Sequence, residues 1–169
     1  FLQKILLDSA KDSLIKIAKA TENLDITAVV GLPYVAEQTL YNCAAVVNGG
    51  HIKGLVPKLN IPNYAEFYEV RHFTAGKNEV TYVNINGEEI PFGANILFKT
   101  DACEDFVLAV EICEDLWTAM PPSVNHALAG ATIIANLSAS NEVIAKDEYR
   151  EMLVKSQSAK LYCGYIYSD

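Results

Sequence analysis

The sequence has no apolar run near the roughly 20 residues that a membrane-spanning helix requires, and no basic-then-apolar leader opens it. Basic residues are few: 13 lysines and arginines stand against 21 aspartates and glutamates, a net charge of −8. Nucleic acid demands a basic face, so that class of partner is excluded, and nothing here attracts an anionic membrane. Cysteine occurs four times, at Cys43, Cys103, Cys113 and Cys163, but never as a CxxC pair. With 51% hydrophobic and 20% charged residues, 169 residues suit one domain that buries about 70% of its surface without disulfide staples, in a reducing cytoplasm. The sequence opens at Phe1, inside an amphipathic pattern and without a methionine. It is therefore expected to be part of a longer polypeptide.

Residues 1–20, FLQKILLDSAKDSLIKIAKA, place Leu2, Ile5, Leu6, Leu14, Ile17 and Ala18 at helical spacing, which predicts a surface helix with one buried stripe. The run DITAVVGLP, stopped by Gly31 and Pro33, predicts a strand buried on both faces. Two strands are expected around Asn48-Gly49-Gly50, and a hairpin around Asn86-Gly87 followed by a further strand. Between them, residues 59–76 (LNIPNYAEFYEVRHFTAG) have no clean period; their length and aromatic content point to a functional loop. From residue 105 onward, strand, short helix, strand, helix and strand alternate, the signature of right-handed βαβ units and a parallel sheet. The expected class is α/β with at least one mixed sheet and helices on its outer faces.

In such sheets, sites gather beyond the carboxyl ends of the strands. Cys113 in VEICEDLW occupies one such end, and Ser138–Ser140 in NLSAS the next; Lys58 in VPKLN closes the second strand of the early hairpin. The other three cysteines fall within or before strands and read as small buried hydrophobes. By position alone a packing role stays open for Cys113 too, and it is the commoner fate of an unpaired cysteine. A nucleophilic Cys113 needs a base and a nearby cation. The three histidines serve poorly as that base: His51 lies in a turn, His72 in the aromatic loop and His126 in a later helix, and each reads as a surface or loop residue. Lys58 supplies the cation.

The stretches GLVPKLNIPNYAEFYEVRHF, VEICEDLW and IIANLSASN together resemble the nitrilase (carbon–nitrogen hydrolase) superfamily, and more narrowly the amino-terminal glutaminase domain of glutamine-dependent NAD synthetases. The resemblance runs from GLP at residue 31 to the end of the chain, and each motif is specific only in company with the others. It implies an αββα sandwich of mixed sheets, present as a partial glutaminase domain over residues 1–169, with a first strand, the end of the sandwich and a synthetase domain outside the chain. It implies a Glu-Lys-Cys triad in which Cys113 is the nucleophile and Lys58 the lysine. The triad glutamate is expected before Phe1, because Glu22 and Glu37 stand in a different context. The backbone N–H of Glu114 would hold the oxyanion with Lys58, and Tyr64, Glu114, Trp117, Ser140 and Lys146 would bind glutamine; by residue type alone, packing stays open for Tyr64 and Trp117 and a turn or helix cap for Ser140. Glu66 or Glu69 would orient Lys58 (Glu66 the favoured one), their other reading being solvated loop carboxylates. Arginine is frequent in the family where Lys146 stands, and a lysine there lacks its two-pronged grip on a carboxylate.

The implied activity is hydrolysis of glutamine through a cysteine thioester. The ammonia would pass to a synthetase domain in cis that amidates nicotinic acid adenine dinucleotide with ATP and Mg2+, within a homo-oligomer. No cofactor or metal is expected in this chain itself, and without the triad glutamate it is expected to lack turnover. The alternatives are a stand-alone amidase or carbamoylase of the same fold, and a non-catalytic nitrilase-like assembly module.

Overall fold

Three tight turns lay out the first half of the chain. The computed structural model describes residues 3–169; Leu2, placed on the helical stripe by its spacing, lies outside them. Strand β1 (Ala28–Ala36) pairs antiparallel with β2 (Thr39–Asn48), β2 with β3 (His51–Pro57), and β4 (Thr81–Ile85) with β5 (Glu88–Phe92). Each pair is joined by two residues at positive φ: Glu37 and Gln38, Gly49 and Gly50, Asn86 and Gly87. Such turns match the twist of the flanking strands. The Gly49-Gly50 and Asn86-Gly87 turns are the expected ones. The turn at Glu37-Gln38 carries no such signal and is imposed by the ladder on either side, which runs from Ala28↔Val47 to Ala36↔Thr39. A parallel pairing at Leu55↔Phe92 completes a five-stranded sheet ordered β1-β2-β3-β5-β4.

Strand β1 runs straight through Gly31 and Pro33, where the sequence predicted its end, and it is not buried on both faces. It is the first strand of its sheet, and its partner explains the proline. Pro33 stands opposite Asn42, whose carbonyl accepts the N–H of Lys58 at 2.8 Å on the other side of β2. Asn42 therefore bonds away from β1 at that register, and the amide that proline lacks points away from β2, where no ladder bond is forfeited.

Helix α1 (Lys4–Ala20) packs on this sheet through Leu14 and Ala18, which join Leu32, Cys43, Val47, Leu55, Ile85 and Ile90 in one apolar core. The buried stripe is narrower than predicted. Ile5, Leu6 and Ile17 are exposed, Ile5 at 73%, because the face turned to the core is the one that carries Leu14, Ala18 and the partly buried Ile15.

The second half forms its own compact unit, Leu97–Asp169, the first ending at Ile96. Here β6 (Phe98–Thr100) pairs antiparallel with β7 (Cys103–Ile112), while β7, β8 (Ile133–Leu137) and β9 (Gly164–Ser168) run parallel. Helices α2 (Pro122–Leu128) and α3 (Lys146–Leu161) make the two crossovers. The expected mixed sheet and βαβ units are thus present, in two mixed sheets. Ala109, Ala131, Ile134 and Cys163 form a small apolar core with Ala127 and Leu161 of the helices packed against it. No helix among the described residues is long and apolar enough to cross a membrane.

Candidate active site

Lys58 follows directly on β3 and is only 2% exposed. An ammonium so placed must be paired, since burial strips its hydration. Its Nζ lies 2.5 Å from Glu69 Oε2, and the other oxygen of Glu69 accepts Asn42 Nδ2 at 2.6 Å. The backbone of Lys58 is held as well: its N–H donates to Asn42 O, and its carbonyl accepts Gly76 N–H at 2.8 Å. The aromatic loop thus leaves from Lys58 and returns to it. Gly76 makes the return possible, because a Cβ there would come within 2.6 Å of Pro57.

The sequence favoured Glu66 as the carboxylate that orients Lys58. Glu66 is exposed, and Glu69 takes that place. The loop tightens into a 3₁₀ turn, Glu69–Arg71, whose first residue reaches both Asn42 of β2 and Lys58. Tyr64, a predicted substrate contact, is 54% exposed, its ring edge-on to Phe67 at 5.6 Å. Lys58, Glu69 and Tyr64 belong to the first unit; Cys113, Glu114, Trp117, Ser140 and Lys146 belong to the second.

At the end of β7 the chain breaks from the sheet into a 3₁₀ turn, Cys113–Trp117. Cys113 sits at φ 48, a left-handed conformation that costs a residue with a side chain about 1–3 kcal/mol. Two buried side chains hold it there. Asp115 Oδ2 accepts the N–H of Ile112 at 2.9 Å, and Asn136 Oδ1 accepts the N–H of Cys113 at 3.0 Å. The kink brings Cys113 to partial exposure, whereas Val110 in the strand is fully buried. The acidic residues around the thiol thus have structural work: Asp115 closes the turn, and Glu111 anchors the sheet behind it.

Glu111 is 1% exposed, yet fully engaged. One oxygen accepts the N–H of Ser123 in the first turn of α2 at 2.9 Å, and the other accepts the hydroxyl of Tyr165. Tyr165 Oη also accepts Asn136 Nδ2 at 3.2 Å, Ser138 Oγ donates to Asn136 Oδ1 at 2.8 Å, and Gln157 Nε2 donates to Ser123 Oγ at 3.0 Å. Burial pushes the Glu111 carboxyl above the usual glutamate range, and the hydrogen bonds from Tyr165, Ser123 and Asn136 offset this only in part. Burial, with the adjacent Glu111 charge, also pushes the Tyr165 hydroxyl up. Asn136, Tyr165 and Gln157 were missed at the level of sequence. A signal existed in two polar letters, Glu111 and Asn136, inside otherwise apolar strands, and the parallel register pairs those two residues.

A carboxyl raised in the folded state favours the protonated form there, so its contribution is complete below the unfolded glutamate value and is lost as pH rises through the folded one. Denaturation midpoints are therefore expected to fall over that window. Glu111→Gln should flatten the fall, and an unchanged slope in the variant would contradict the assignment.

The remaining predicted residues divide. Trp117 is half-buried, its ring 5.5 Å from that of Tyr149 and 5.4 Å from Lys146 Nζ, which also donates to Asn141 Oδ1. Ser140 donates its N–H to Asp169 Oδ1 at 2.6 Å. Arg150, not singled out beforehand, reaches Asp169 at 2.8 Å and Glu142 at 2.6 Å and lies over the Tyr167 ring. His126 is 2% exposed, not a surface residue: it shares with Ser123 the inward face of the short α2. Cys103, predicted to be buried, is exposed: it stands at the hairpin end of β7 opposite Thr100 of β6, ahead of Leu108, where the pairing with β8 begins. Cys43 and Cys163 are buried as expected, and burial pushes both thiols up. Limited alkylation followed by mass spectrometry should leave these two unmodified until the chain unfolds; early labelling of either would contradict the packing.

The fold is that of the carbon–nitrogen hydrolases. The solved carbon–nitrogen hydrolase of Helicobacter pylori superposes with a TM-score of 0.70 over 95% of this chain and 50% of its own, at 20% identity, a likeness of fold alone. Homologues of the chain are, more particularly, glutamine-dependent NAD(+) synthetases. That of Mycobacterium tuberculosis is 41% identical over 167 residues, 99% of this chain and 25% of the relative. The crystal structure of the synthetase from Cytophaga hutchinsonii matches with a TM-score of 0.86 and 32% identity, covering 99% of this chain and 26% of that one. The chain thus spans about a quarter of the length of the curated relatives it matches. No family model matches it.

Proposed function

We propose that the chain is the glutaminase portion of a glutamine-dependent NAD synthetase, working in the cytoplasm. The observation that carries this reading is the partly exposed Cys113 at a strained strand end, in a chain 41% identical to such a synthetase over nearly its whole length. The thiolate attacks the side-chain amide carbon of glutamine. The tetrahedral oxyanion is held by Lys58 and the backbone N–H of Glu114. The C–N bond then breaks, the nitrogen leaves as ammonia with the thiol's former proton, and a thioester remains. Water attacks the thioester carbon, releasing glutamate and restoring the thiol. In this reading the proton carrier is a glutamate supplied from outside the chain, and Glu69 acts through Lys58 by fixing its ammonium.

Tyr64, Glu114, Trp117, Ser140 and Lys146 form the glutamine contacts in this reading, Lys146 as the partner of the substrate carboxylate. The hold that Glu142 and Asp169 have on Arg150 favours Lys146 over Arg150 for that task. The ammonia is consumed by a synthetase domain of the same polypeptide that amidates nicotinic acid adenine dinucleotide, within a homo-oligomer. ATP and Mg2+ belong to that domain, and no residue of this chain is assigned to them.

The test is labelling of the complete polypeptide with an electrophilic glutamine analogue, with the adduct mapped by mass spectrometry. An adduct at Cys113 that excess glutamine suppresses is expected. Labelling confined to Cys103, or absent, would overturn the reading.

A further inference from the structure

Asn136 is 1% exposed and stands in β8, in register with Glu111 on β7 and Tyr167 on β9. Its carbonyl oxygen takes two donors, the N–H of Cys113 at 3.0 Å and Ser138 Oγ at 2.8 Å. Its amide nitrogen donates to Tyr165 Oη, and the Tyr165 hydroxyl is bonded to Glu111. Glu111 in turn receives the N–H of Ser123 on α2, and Gln157 of α3 braces the hydroxyl of Ser123. A continuous polar chain therefore runs from both crossover helices through all three parallel strands to one peptide group, that of Cys113.

A core position with no task beyond packing favours apolar side chains, since buried polar groups cost stability unless each finds a partner. Here the requirement is specific. The side chain must accept at one end and donate at the other, and at this length only asparagine does both. What the chain grips is also specific: a residue with a side chain held at φ 48, a conformation that persists only where its surroundings over-determine it.

We propose that Asn136 is the positioning residue for the Cys113 thiol, with Tyr165 and Glu111 setting Asn136. The inference rests on the reading of Cys113 as nucleophile. By fixing the Cys113 peptide, Asn136 fixes the direction in which its Cα–Cβ bond leaves the strand end, and so the line along which sulfur meets the amide carbon. The effect falls on the rate of attack rather than on the affinity for substrate.

The experiment compares the complete polypeptide with its Asn136→Ala, Asn136→Asp and Tyr165→Phe variants. It reads the rate of Cys113 modification by an electrophilic glutamine analogue, the glutaminase kcat and KM, and the protection of Cys43 and Cys163. Misplacing a reacting atom by about 1 Å costs up to about 10²-fold, so Asn136→Ala is expected to slow Cys113 labelling and kcat by about ten-fold or more. KM should stay near the parent value, and Cys43 and Cys163 should stay protected. Asn136→Asp keeps the acceptor for the Cys113 N–H but loses the donor to Tyr165, so it should recover only part of the loss; Tyr165→Phe should show a smaller loss of the same kind. Parent-like labelling and kcat in Asn136→Ala with the buried thiols still protected would overturn the proposal and leave Cys113 as nucleophile. A loss confined to KM would overturn it too. If Asn136→Ala exposes the buried thiols, Tyr165→Phe decides: a kcat loss supports the proposal and a parent-like kcat overturns it. Failure of the parent itself to label at Cys113 would remove the nucleophile reading and this inference with it.

Discussion

On the proposed scheme, Lys58→Ala in the complete polypeptide is expected to cut glutamine-driven NAD formation by at least about 10²–10³, the usual cost of one lost oxyanion donor. Formation from free ammonia should be unchanged, since the synthetase chemistry makes no use of Lys58 in the proposed scheme. The contrast matters because Lys58 is deeply buried and its removal disturbs packing as well as charge. A collapse of both activities together would mark the residue as structural. Loss of the glutamine-driven activity alone would mark it as part of the chemistry. Initial rates with glutamine and with ammonium salts, measured on one preparation, separate the two outcomes.

The carboxylate beside it should matter more for stability than the lysine does. Glu69→Ala leaves the Lys58 ammonium buried with its counter-charge gone, and breaking a buried pair from one side costs about 3–5 kcal/mol. Lys58→Met should cost much less, because it puts an apolar chain of similar length in the buried place and leaves Glu69, 17% exposed, within reach of water. Urea denaturation of the two single variants and of the double variant measures the difference. The double variant should recover most of what Glu69→Ala loses. Equal losses in the two single variants would show that the pair is not the principal constraint on Lys58.

Turn chemistry made parts of this fold readable without coordinates. Gly49-Gly50 and Asn86-Gly87 are good at positive φ by themselves, so their hairpins follow from local preference. Glu37 and Gln38 are driven into the same geometry by a ladder that no local rule foretells. Pro33 misled for the complementary reason: proline ends an interior strand, but its effect depends on which side of the strand the lost amide faces. The candidate chemistry divides in the same way. The strand-end positions of Lys58 and Cys113 follow from where apolar runs stop. That Glu69 rather than Glu66 meets Lys58 depends on the 3₁₀ turn that closes the loop, and the partnership of Glu111 with Asn136 depends on strand register. Cys103 shows the limit of residue type as a guide, since it stands at the hairpin end of β7, before the pairing with β8 begins at Leu108.

The span of the Cys113 network has a consequence for the order in which the molecule is made. The meander of β1, β2 and β3 closes through two-residue turns, so its contacts are local and cost little chain entropy. The grip on Cys113 requires partners 23 residues away at Asn136, and Glu111 requires Tyr165, 54 residues away, across two crossovers. Such long closures come late. In refolding, the environment of Lys58 should therefore be native before that of Cys113. Cys113 is therefore expected to take up its strained geometry only once β8 has docked beside β7, and to be fixed fully when Tyr165 of β9 joins the network.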